Sequence, residues 1–588
     1  MFQSFVESSS PEQGPKRLAD LREVMSEAGL TGFIVPRADA HQGEYVAPRD
    51  DRLAWLTGFT GSAGWCVALS DRAAVFTDSR YTVQVKDQTA DVFEKVDWPA
   101  VSLGDWISGA APEGLIGFDP WLLSVDQLRA MEKKIGARLQ RCANLVDQIW
   151  IDQPAPPLGN VSAHPLEFAG EPHTDKMARL AADLKADAAV ITLPDSIAWL
   201  LNIRGTDIQR NPVPHSFAIL HRDGHVDLFI APEKLTDLGD HLGPNVRTAP
   251  PSTLLPVIEA LTGSVQIDPA SCPVAIVDAI KGTCVEAADP CVLPKARKNA
   301  AELSGSRAAH IRDAAAMVRF LAWLDDQAQG SLTEIDVATR LEAERRKDNA
   351  LRDISFDTIS AAGPNAALPH YRVSEDSNRT VEPNSILLVD SGGQYLDGTT
   401  DITRTIAIGE LGEEECRANT LVLKGMIALS KLRFPKGLAG RDIDPLARMA
   451  LWEHGLDFGH GTGHGVGAYL CVHEGPARIA RTGHVPLEPG MILSNEPGFY
   501  KEGHYGIRIE NLIVVQEAPA LPGQSVAEMY QFETITWVPI DTRLINTDLL
   551  TAAERDWLNA YHAETYARVA PHVEGAARDW LSRACQAL

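Results

Sequence analysis

The hydrophobic and polar positions of the first 300 residues predict one order of elements twice. In the first copy, a helix that ends at Gly29 is followed by a buried strand over 32–35. The apolar residues at helical spacing are Leu18, Leu21, Val24 and Met25. The second has Met177, Leu180 and Leu184 at helical spacing, then a strand over 188–193. Each copy continues into an Ala-Trp-Leu phrase, at 54–56 and at 198–200. The repeat predicts two related α/β domains, and the proline-rich segment 151–173 reads as a linker between them.

The third region mixes helical and strand patterns. One long helix is predicted around Ile311 to Leu321, a second opens with Ser331 and Glu334 at capping-box spacing, and a third has Asp444 as its N-cap. Strands are predicted over 385–390, 401–408, 491–494 and 505–515. The mixture favours an α+β domain with an antiparallel central sheet. We therefore predict domains over 1–150, 151–296 and 297–588, the last ending in a helical extension.

Charge and composition narrow the classes of function. The 588 residues carry 54 Lys and Arg against 79 Asp and Glu, a net charge of −25. Such a surface disfavours nucleic acid and anionic membranes, whereas a peptide with a free amino terminus meets no long-range repulsion. No apolar run of about 18 residues and no signal peptide is recognised. Eight scattered cysteines without a Cys-x-x-Cys pair predict reduced thiols in the cytoplasm.

Carboxylates and histidines cluster in the third region. Six of the 17 histidines fall between 454 and 504. Asp390 closes an apolar run, Asp401 opens another, and Glu496 follows a third. In the predicted strand 505–515, Arg508 and Glu510 are two residues apart and would share one face. Buried carboxylates need a cation or a proton, which makes this set a candidate metal site.

The spacing of His460 and His464 resembles a zinc-binding helix but does not fit one. Five glycines between 459 and 467 oppose a helix, and no Glu follows the first histidine. A glycine-rich loop that supplies one ligand is the better interpretation. One imidazole with four carboxylates is a hard, oxygen-rich set that suits manganese. Two ions would balance four negative charges, and the chemistry they indicate is metal-assisted hydrolysis.

These residues resemble the five metal ligands of the pita-bread metallopeptidases of peptidase family M24: Asp390, Asp401, His464 in Gly-Thr-Gly-His-Gly-Val-Gly, Glu496 in Asn-Glu-Pro-Gly, and Glu510 in Arg-Ile-Glu-Asn. The phrases over 363–371 and 472–476 look like the substrate-histidine segments of Xaa-Pro aminopeptidases. The segments 39–48 and 61–64 extend the resemblance to the N-terminal half. The long three-domain cytosolic form is the most similar, which implies two creatinase-like α/β domains before a pita-bread catalytic domain.

The resemblance also implies a role for each residue. Asp390 would bind one Mn²⁺, Asp401 and Glu510 both, and His464 and Glu496 the other, with Co²⁺ or Zn²⁺ as alternative metals. A hydroxide bridging the two ions would attack the carbonyl before a penultimate proline, with Glu496 as proton acceptor. His473 and His370 would contact the substrate carbonyls and stabilise the oxyanion, and His460 would line the proline pocket. Tyr500 and Arg508 would assist proton transfer. A homodimer formed through the C-terminal domain is implied as well.

The sequence departs from the family pattern at two positions and leaves three alternative functions open. Pro369 stands before His370, and Asn495 before Glu496, where the family usually has an aliphatic residue and an acid. A prolidase that cleaves only Xaa-Pro dipeptides is the first alternative. A non-catalytic pita-bread binding module is the second, although it would be expected to lack the ligands. The third is a two-metal phosphoesterase, for which only Arg404 and Arg508 could clamp phosphate.

Overall fold

The computed structural model describes residues 1–135 and 138–588, and these form two compact units. The N-terminal unit is Ser8–Val292, and the C-terminal unit combines Met1–Glu7 with Leu293–Leu588. Within the described ranges, no helix is both long and apolar enough to cross a membrane.

The N-terminal unit contains two six-stranded sheets with the same topology. Its strands are β1 (Gly32–Pro36), β2 (Trp65–Leu69), β3 (Ala73–Thr77), β4 (Glu94–Asp97), β5 (Ile116–Phe118), β6 (Leu139–Arg141), β7 (Val161–Ala163), β8 (Ala188–Ile191), β9 (Ile203–Gly205), β10 (Phe217–His221), β11 (Val226–Phe229), β12 (Val246–Ala249), β13 (Ser264–Ile267) and β14 (Thr283–Glu286). The first sheet has the order β4-β3-β2-β1-β5-β6 and the second the order β12-β11-β10-β8-β13-β14. In both, the central strand runs antiparallel to one neighbour and parallel to the other. The predicted duplication is confirmed in strand order and direction.

Helices cover these sheets where the apolar spacing predicted them. They are α1 (Gly14–Glu27), α2 (Arg52–Thr57), α3 (Gln84–Gln88), α4 (Leu103–Ala110), α5 (Val125–Ile135), α6 (Leu145–Ile149), α7 (Leu166–Ala169), α8 (His173–Asp183), α9 (Pro194–Leu200), α10 (Leu254–Ala260) and α11 (Val274–Ala279). Helix α1 buries Leu18, Leu21 and Met25, and Gly29 beyond its end adopts φ +70°. The expected linker 151–173 is partly ordered, because it contains α7 and β7, and β7 pairs with β9.

The C-terminal unit is an α+β structure in which every strand pair is antiparallel. Its strands are β15 (Leu351–Ile354), β16 (Ile359–Ala362), β17 (Ser385–Ser391), β18 (Gly393–Tyr395), β19 (Gly398–Thr399), β20 (Ile402–Ile408), β21 (Arg433–Pro435), β22 (Gly463–Gly465), β23 (Glu474–Ile479), β24 (Ile492–Asn495), β25 (Gly498–Lys501), β26 (Tyr505–Arg508), β27 (Asn511–Glu517) and β28 (Met529–Thr534). The two sheets that matter for the site have the orders β16-β17-β20 and β21-β28-β27-β24-β22-β23.

Long helices pack against these sheets. They are α13 (Ala300–Asp325), α14 (Glu334–Arg345), α15 (Glu413–Ser430), α16 (Gly440–Trp452), α17 (Ala552–Val569) and α18 (Gly575–Ala584), preceded by the short α12 (Val292–Ala296). Helix α13 places Met317, Val318 and Leu321 in one core with Leu387 of β17 and Ile402 of β20. That core fixes the two strands whose ends carry Asp390 and Asp401.

Three predictions of element boundaries were wrong. Helix α14 is capped by Thr333 with Asp336 rather than by Ser331 with Glu334, because the Thr333 side chain accepts from the Asp336 amide. Helix α16 begins at Gly440, so Asp444 is not its cap; its carboxylate accepts hydrogen bonds from Arg448 and Thr462.

The predicted strand 505–515 is divided. Strands β26 and β27 belong to different sheets, and the break falls at 509–510. There the amide of Ile509 donates to Pro497 and that of Glu510 to Thr403. No glycine or proline marks the break, and the apolar residues Ile507 and Ile509 are followed closely by the apolar run 512–515, so the pattern alone could not reveal it.

We predict that Thr333→Ala destabilises α14, whereas the matched change Ser331→Ala has little effect. Losing an N-cap side chain costs about 0.5–2 kcal/mol, and the Ser331 hydroxyl instead donates to the carbonyl of Ala328 outside the helix. Hydrogen exchange of the α14 amides would measure both variants. Equal loss of protection in the two would contradict the observed cap.

Candidate metal centre

The ends of strands from two sheets of the C-terminal unit, β16-β17-β20 and β21-β28-β27-β24-β22-β23, bring acidic side chains together. Asp390 lies in β17 opposite Thr403 of β20, and Asp401 immediately precedes β20. Glu496 immediately follows β24, and Glu510 immediately precedes β27, where the neighbouring residues Asn495 and Asn511 are paired. The amide of Glu510 donates to the carbonyl of Thr403, which joins the two sheets at this point.

His464 lies in β22, a central strand rather than the predicted loop. Its neighbours are glycines because backbone approaches closely on both sides. A Cβ on Gly463 would lie 2.0 Å from the carbonyl oxygen of Ser494, and one on Gly465 2.2 Å from that of Glu474. The glycines allow the backbone of neighbouring strands to approach β22 closely, as predicted, although they do so within a sheet and not in a loop.

The imidazole of His464 faces two of the carboxylates. Its Nε2 lies 3.5 Å from Asp401 Oδ2 and 3.4 Å from Glu496 Oε1. Its Nδ1 lies 2.9 Å from the carbonyl oxygen of Gly465, which can only accept, so Nδ1 carries a proton and Nε2 is the nitrogen available to a metal. Ligand atoms of Asp401, His464 and Glu510 all lie within 4.8 Å of one another.

Three of the four carboxylates are buried, Glu496 is half-buried, and two of the carboxylate oxygens lack partners among the described residues. Asp390, Asp401 and Glu510 are 7%, 4% and 1% exposed. Asp390 Oδ1 and Glu510 Oε1 accept no hydrogen bond from the described residues. Orphaned buried carboxylate oxygens beside a hard donor set fit divalent cations.

The electrostatics support the same conclusion. Burial raises the pKa of Asp390 to about 6, against the opposing effect of Arg508 and with Asp401 adding to the rise. Burial and the neighbouring carboxylates raise the pKa of Glu510 well above its ordinary value, and burial also raises the pKa of Glu496. Burial lowers the pKa of His464, but Asp401 and Glu496 outweigh it and raise that pKa to about 9. The cluster thus attracts positive charge, as protons or as metal ions.

A chain of hydrogen bonds leads away from Asp390. Arg508 Nη2 donates to Asp390 Oδ2 at 2.6 Å, and its Nη1 donates to the Tyr500 hydroxyl at 2.6 Å. That hydroxyl lies 2.7 Å from His460 Nε2, and His460 Nδ1 lies 2.7 Å from the carbonyl of Gly461. His460 therefore carries its proton on Nδ1, and its Nε2 accepts a hydrogen bond from the Tyr500 hydroxyl. Burial raises the pKa of Tyr500 to about 12, so it remains a proton donor.

The two remaining histidines occupy different positions. The ring of His473 lies 4.3 Å from that of His464, at 78°. His370 is half-buried in the loop after the helical turn Gly363–Ala367. A Cβ on Gly506 would lie 1.7 Å from the Ala366 carbonyl, so this turn packs on the strand that carries Arg508.

The structure adds residues that the sequence reasoning missed. Thr403 Oγ1 donates to Glu510 Oε2 at 2.8 Å and receives a bond from Arg508 Nε. Ser494 Oγ donates to Glu496 Oε1 at 3.1 Å. Arg448 donates to the carbonyls of Phe458 and His460 and so shapes the glycine-rich segment. Only Thr403 had a signal in the sequence, because it follows Asp401 on the same face of a predicted strand.

Among the residues that the structure describes, two other groups of possible ligands lie in the N-terminal unit and fit an ion less well. In the first, His221 and His225 stack at 3.9 Å with nearly parallel rings, so one ion cannot lie in both ring planes. In the second, formed by Asp39, Asp50 and His215, Arg52 already donates to Asp50 at 2.9 Å.

Family models match four successive segments of the chain. The model described as metallopeptidase family M24 matches residues 304–517, and the C-terminal region of peptidase M24 matches 528–588. Creatinase/prolidase N-terminal domain models match 17–149 and 152–302.

Known proteins are similar over nearly the whole chain. A probable Xaa-Pro aminopeptidase P of Laccaria bicolor is 39% identical, covering 97% of this chain and 93% of its own. Aminopeptidase P2 of Arabidopsis thaliana is 38% identical, covering 96% and 87%. The crystal structure of an X-prolyl aminopeptidase from Caenorhabditis elegans, described as a cytosolic enzyme with a di-nuclear active site, matches with a TM-score of 0.92 and 36% identity, covering 98% and 100%. On this evidence the chain belongs to metallopeptidase family M24, among the Xaa-Pro aminopeptidases known as aminopeptidase P.

Proposed function

We propose that this chain is a metal-dependent aminopeptidase that removes the N-terminal residue from peptides whose second residue is proline. The observation that carries the proposal is the cluster of three buried carboxylates, the half-buried Glu496 and one imidazole, with orphaned oxygens on Asp390 and Glu510. The relatives in fungi, a plant and a nematode supply the reaction, because each is described as an aminopeptidase P or X-prolyl aminopeptidase.

We propose two Mn²⁺ ions as the cofactor, with Co²⁺ or Zn²⁺ as alternatives. Asp390 would hold one ion, Asp401 and Glu510 both, and His464 and Glu496 the other. Four carboxylates balance the charge of two divalent ions, and the relative from Caenorhabditis elegans is described as di-nuclear. When bound, such a pair polarises the substrate carbonyl and lowers the pKa of water from about 15.7 toward 7.

The residues around the cluster position the substrate and move protons. Glu496 is the proposed acceptor for the proton of the attacking water, and Ser494 orients its Oε1. Tyr500 and Arg508 supply a proton donor and a fixed positive charge beside Asp390. We assign His473 and His370 to the substrate carbonyls, where fixed donors stabilise developing negative charge, and His460 to the pocket for proline.

Proline explains why a dedicated site is needed. The scissile bond before proline has no N–H, so a peptidase that requires this donor cannot bind it productively. The fixed donors of the histidines act on carbonyl oxygens, which an Xaa-Pro bond still offers. The net charge of −25 permits the positively charged amino terminus of the peptide to approach.

The phosphoesterase alternative is disfavoured by the two arginines it requires. The Arg404 guanidinium is buried, and its donors contact neutral groups of the protein. Arg508 donates to Asp390, Tyr500 and Thr403. Neither guanidinium therefore offers two parallel N–H groups to a phosphate.

We propose three further properties of this chain. The cytosolic description of the Caenorhabditis elegans relative supports a cytoplasmic location for this chain. The family resemblance supports a homodimer formed through the C-terminal domain. The predicted domain ranges 1–150, 151–296 and 297–588 are retained as a proposal for the full chain.

Metal analysis paired with peptide hydrolysis tests the function. We expect two metal ions per chain, Mn²⁺-dependent cleavage of Xaa-Pro-Yaa-Yaa peptides after the first residue, and loss of cleavage after chelation. Cleavage of Xaa-Pro dipeptides alone would establish the prolidase alternative, and no cleavage of either substrate by metal-loaded protein would exclude both peptidases.

We predict that Glu496→Gln stays folded, binds less metal and loses nearly all turnover. The amide cannot accept the proton, and loss of a general base alone costs about 10²–10⁴-fold. Steady-state kinetics at saturating Mn²⁺ would measure the loss. Glu488→Gln, a change at a half-buried carboxylate that pairs with Arg297, is the matched control. Retention of more than about a tenth of wild-type turnover by Glu496→Gln would sink the assignment.

We predict that His473→Ala keeps two metals and a near-normal KM but loses turnover by about 10²–10³-fold. A donor that acts on the developing oxyanion binds the transition state more strongly than the substrate, so its loss lowers kcat rather than raising KM. His484→Ala, whose imidazole contacts exposed Arg441, serves as control. Turnover within about threefold of wild type would make His473 structural, and joint loss of metal would make it part of the ligand shell.

A further inference from the structure

Arg404 is a buried arginine that lies next to the metal centre without taking part in it. Its side chain is 2% exposed. Its guanidinium donates to six acceptors, all of them uncharged: the carbonyls of Thr403 (2.9 Å), Glu510 (2.7 Å), Val538 (2.7 Å) and Pro539 (3.0 Å), the side-chain oxygen of Asn511 (2.9 Å) and the hydroxyl of Tyr561 (3.0 Å). Within the described ranges, Arg404 forms no ion pair. A buried charge held without a counterion is costly, so its position calls for a reason.

The acceptors belong to two parts of the unit. Thr403, Glu510 and Asn511 lie where the two sheets meet at the metal centre. Val538, Pro539 and Tyr561 lie in the C-terminal region, which ends in α17 and α18. The guanidinium therefore bridges the backbone of a proposed metal ligand to the segment that follows the last strand.

The backbone of Glu510 is fixed on both sides by neighbours in β20. Its amide donates to the carbonyl of Thr403, and its carbonyl accepts from Arg404 Nη1 at 2.7 Å. The Thr403 hydroxyl donates to Glu510 Oε2 and so orients the carboxylate. The other oxygen, Oε1, accepts no hydrogen bond from the described residues. A shift of this backbone would move the carboxylate that both ions are proposed to share.

Tyr561 anchors the other end. Its hydroxyl donates to the carbonyl of Val538 at 2.8 Å while accepting from Arg404. Its ring stacks on Trp557 at 5.4 Å and on Trp537 at 5.6 Å. The rings hold the hydroxyl in place, and the hydroxyl in turn holds one edge of the guanidinium.

We propose that Arg404 is a positioning residue through which the C-terminal region sets the place of Glu510 and thereby the affinity for metal. This inference rests on the proposed function, because it assumes that Glu510 binds the ions. It assigns a task to the C-terminal region: completing the ligand geometry from outside the ligand set. Outer partners of metal ligands change metal affinity by about 10–100-fold when they are mutated.

Arg404→Lys tests the proposal directly. Lysine keeps the charge but offers three donors from one point, so it cannot span acceptors on both sides of the guanidinium plane. We expect Mn²⁺ to bind about 10–100-fold more weakly in a chelator-competition titration of the full chain, with a normal circular dichroism spectrum. Arg52→Lys changes a buried arginine of the N-terminal unit that pairs with Asp50 and Asp147, and it should leave Mn²⁺ affinity unchanged.

Tyr561→Phe keeps the test decisive if Arg404→Lys fails to fold. It removes one hydroxyl and retains both ring stacks, and we expect a smaller loss of Mn²⁺ affinity, at least about threefold. Affinity within threefold of wild type in folded Arg404→Lys, or in Tyr561→Phe when the lysine variant is unfolded, would overturn the proposal. Failure of the wild-type chain to bind Mn²⁺ would instead contradict the proposed function, so the two failures are distinguishable.

Discussion

The C-terminal unit is organised around one electrostatic constraint, the clustering of three buried carboxylates and the half-buried Glu496 about a single imidazole. Arg508 supplies one permanent positive charge beside Asp390, which leaves the cluster strongly negative. Burial and mutual repulsion raise the pKa values of Asp390 and Glu510. Such a cluster persists in a folded protein only if protons or metal ions neutralise it, and two divalent ions meet that need. The strand ends, the glycines flanking His464 and the hydrogen bonds of Thr403 and Ser494 all hold the donors in place for those ions.

The supporting structure extends well beyond the ligands. Glycines at 463 and 465 let β22 approach its two neighbours so closely that a side chain there would collide with backbone. The core of α13 with β17 and β20 fixes the strands of Asp390 and Asp401. On the far side, Arg404 connects Glu510 to the C-terminal region. Hydrogen bonds at the candidate metal centre therefore connect two sheets, through Glu510 and Thr403, and connect both to helix α17 through Arg404 and Tyr561.

Much of this could be predicted from local pattern, and the rest could not for identifiable reasons. Acidic residues at the ends of apolar runs indicated Asp390, Asp401 and Glu496, and the repeated order of helix, strand and Ala-Trp-Leu indicated the duplicated sheets. The break between Arg508 and Glu510 was missed because no glycine or proline marks it and apolar residues lie close to it on both sides. The cap of α14 was misplaced because Thr333 with Asp336 is as good a signal as Ser331 with Glu334. The start of α16 was misplaced because its N-cap, Ala439, has no side-chain acceptor, whereas the carboxylate of Asp444 contacts Arg448 and Thr462 instead of capping. Arg404 was noticed only as a candidate phosphate clamp, since five of its six partners come from segments distant in sequence.

The central claim is that these carboxylates and His464 hold two metal ions. Anomalous X-ray diffraction at the manganese absorption edge, on crystals of the full chain grown with Mn²⁺, tests it most directly. The account predicts two anomalous peaks of similar height among Asp390, Asp401, His464, Glu496 and Glu510, about 3.5–4 Å apart, with Asp401 and Glu510 contacting both. A single peak, or peaks that leave Asp401 or Glu510 without a metal contact, would contradict it.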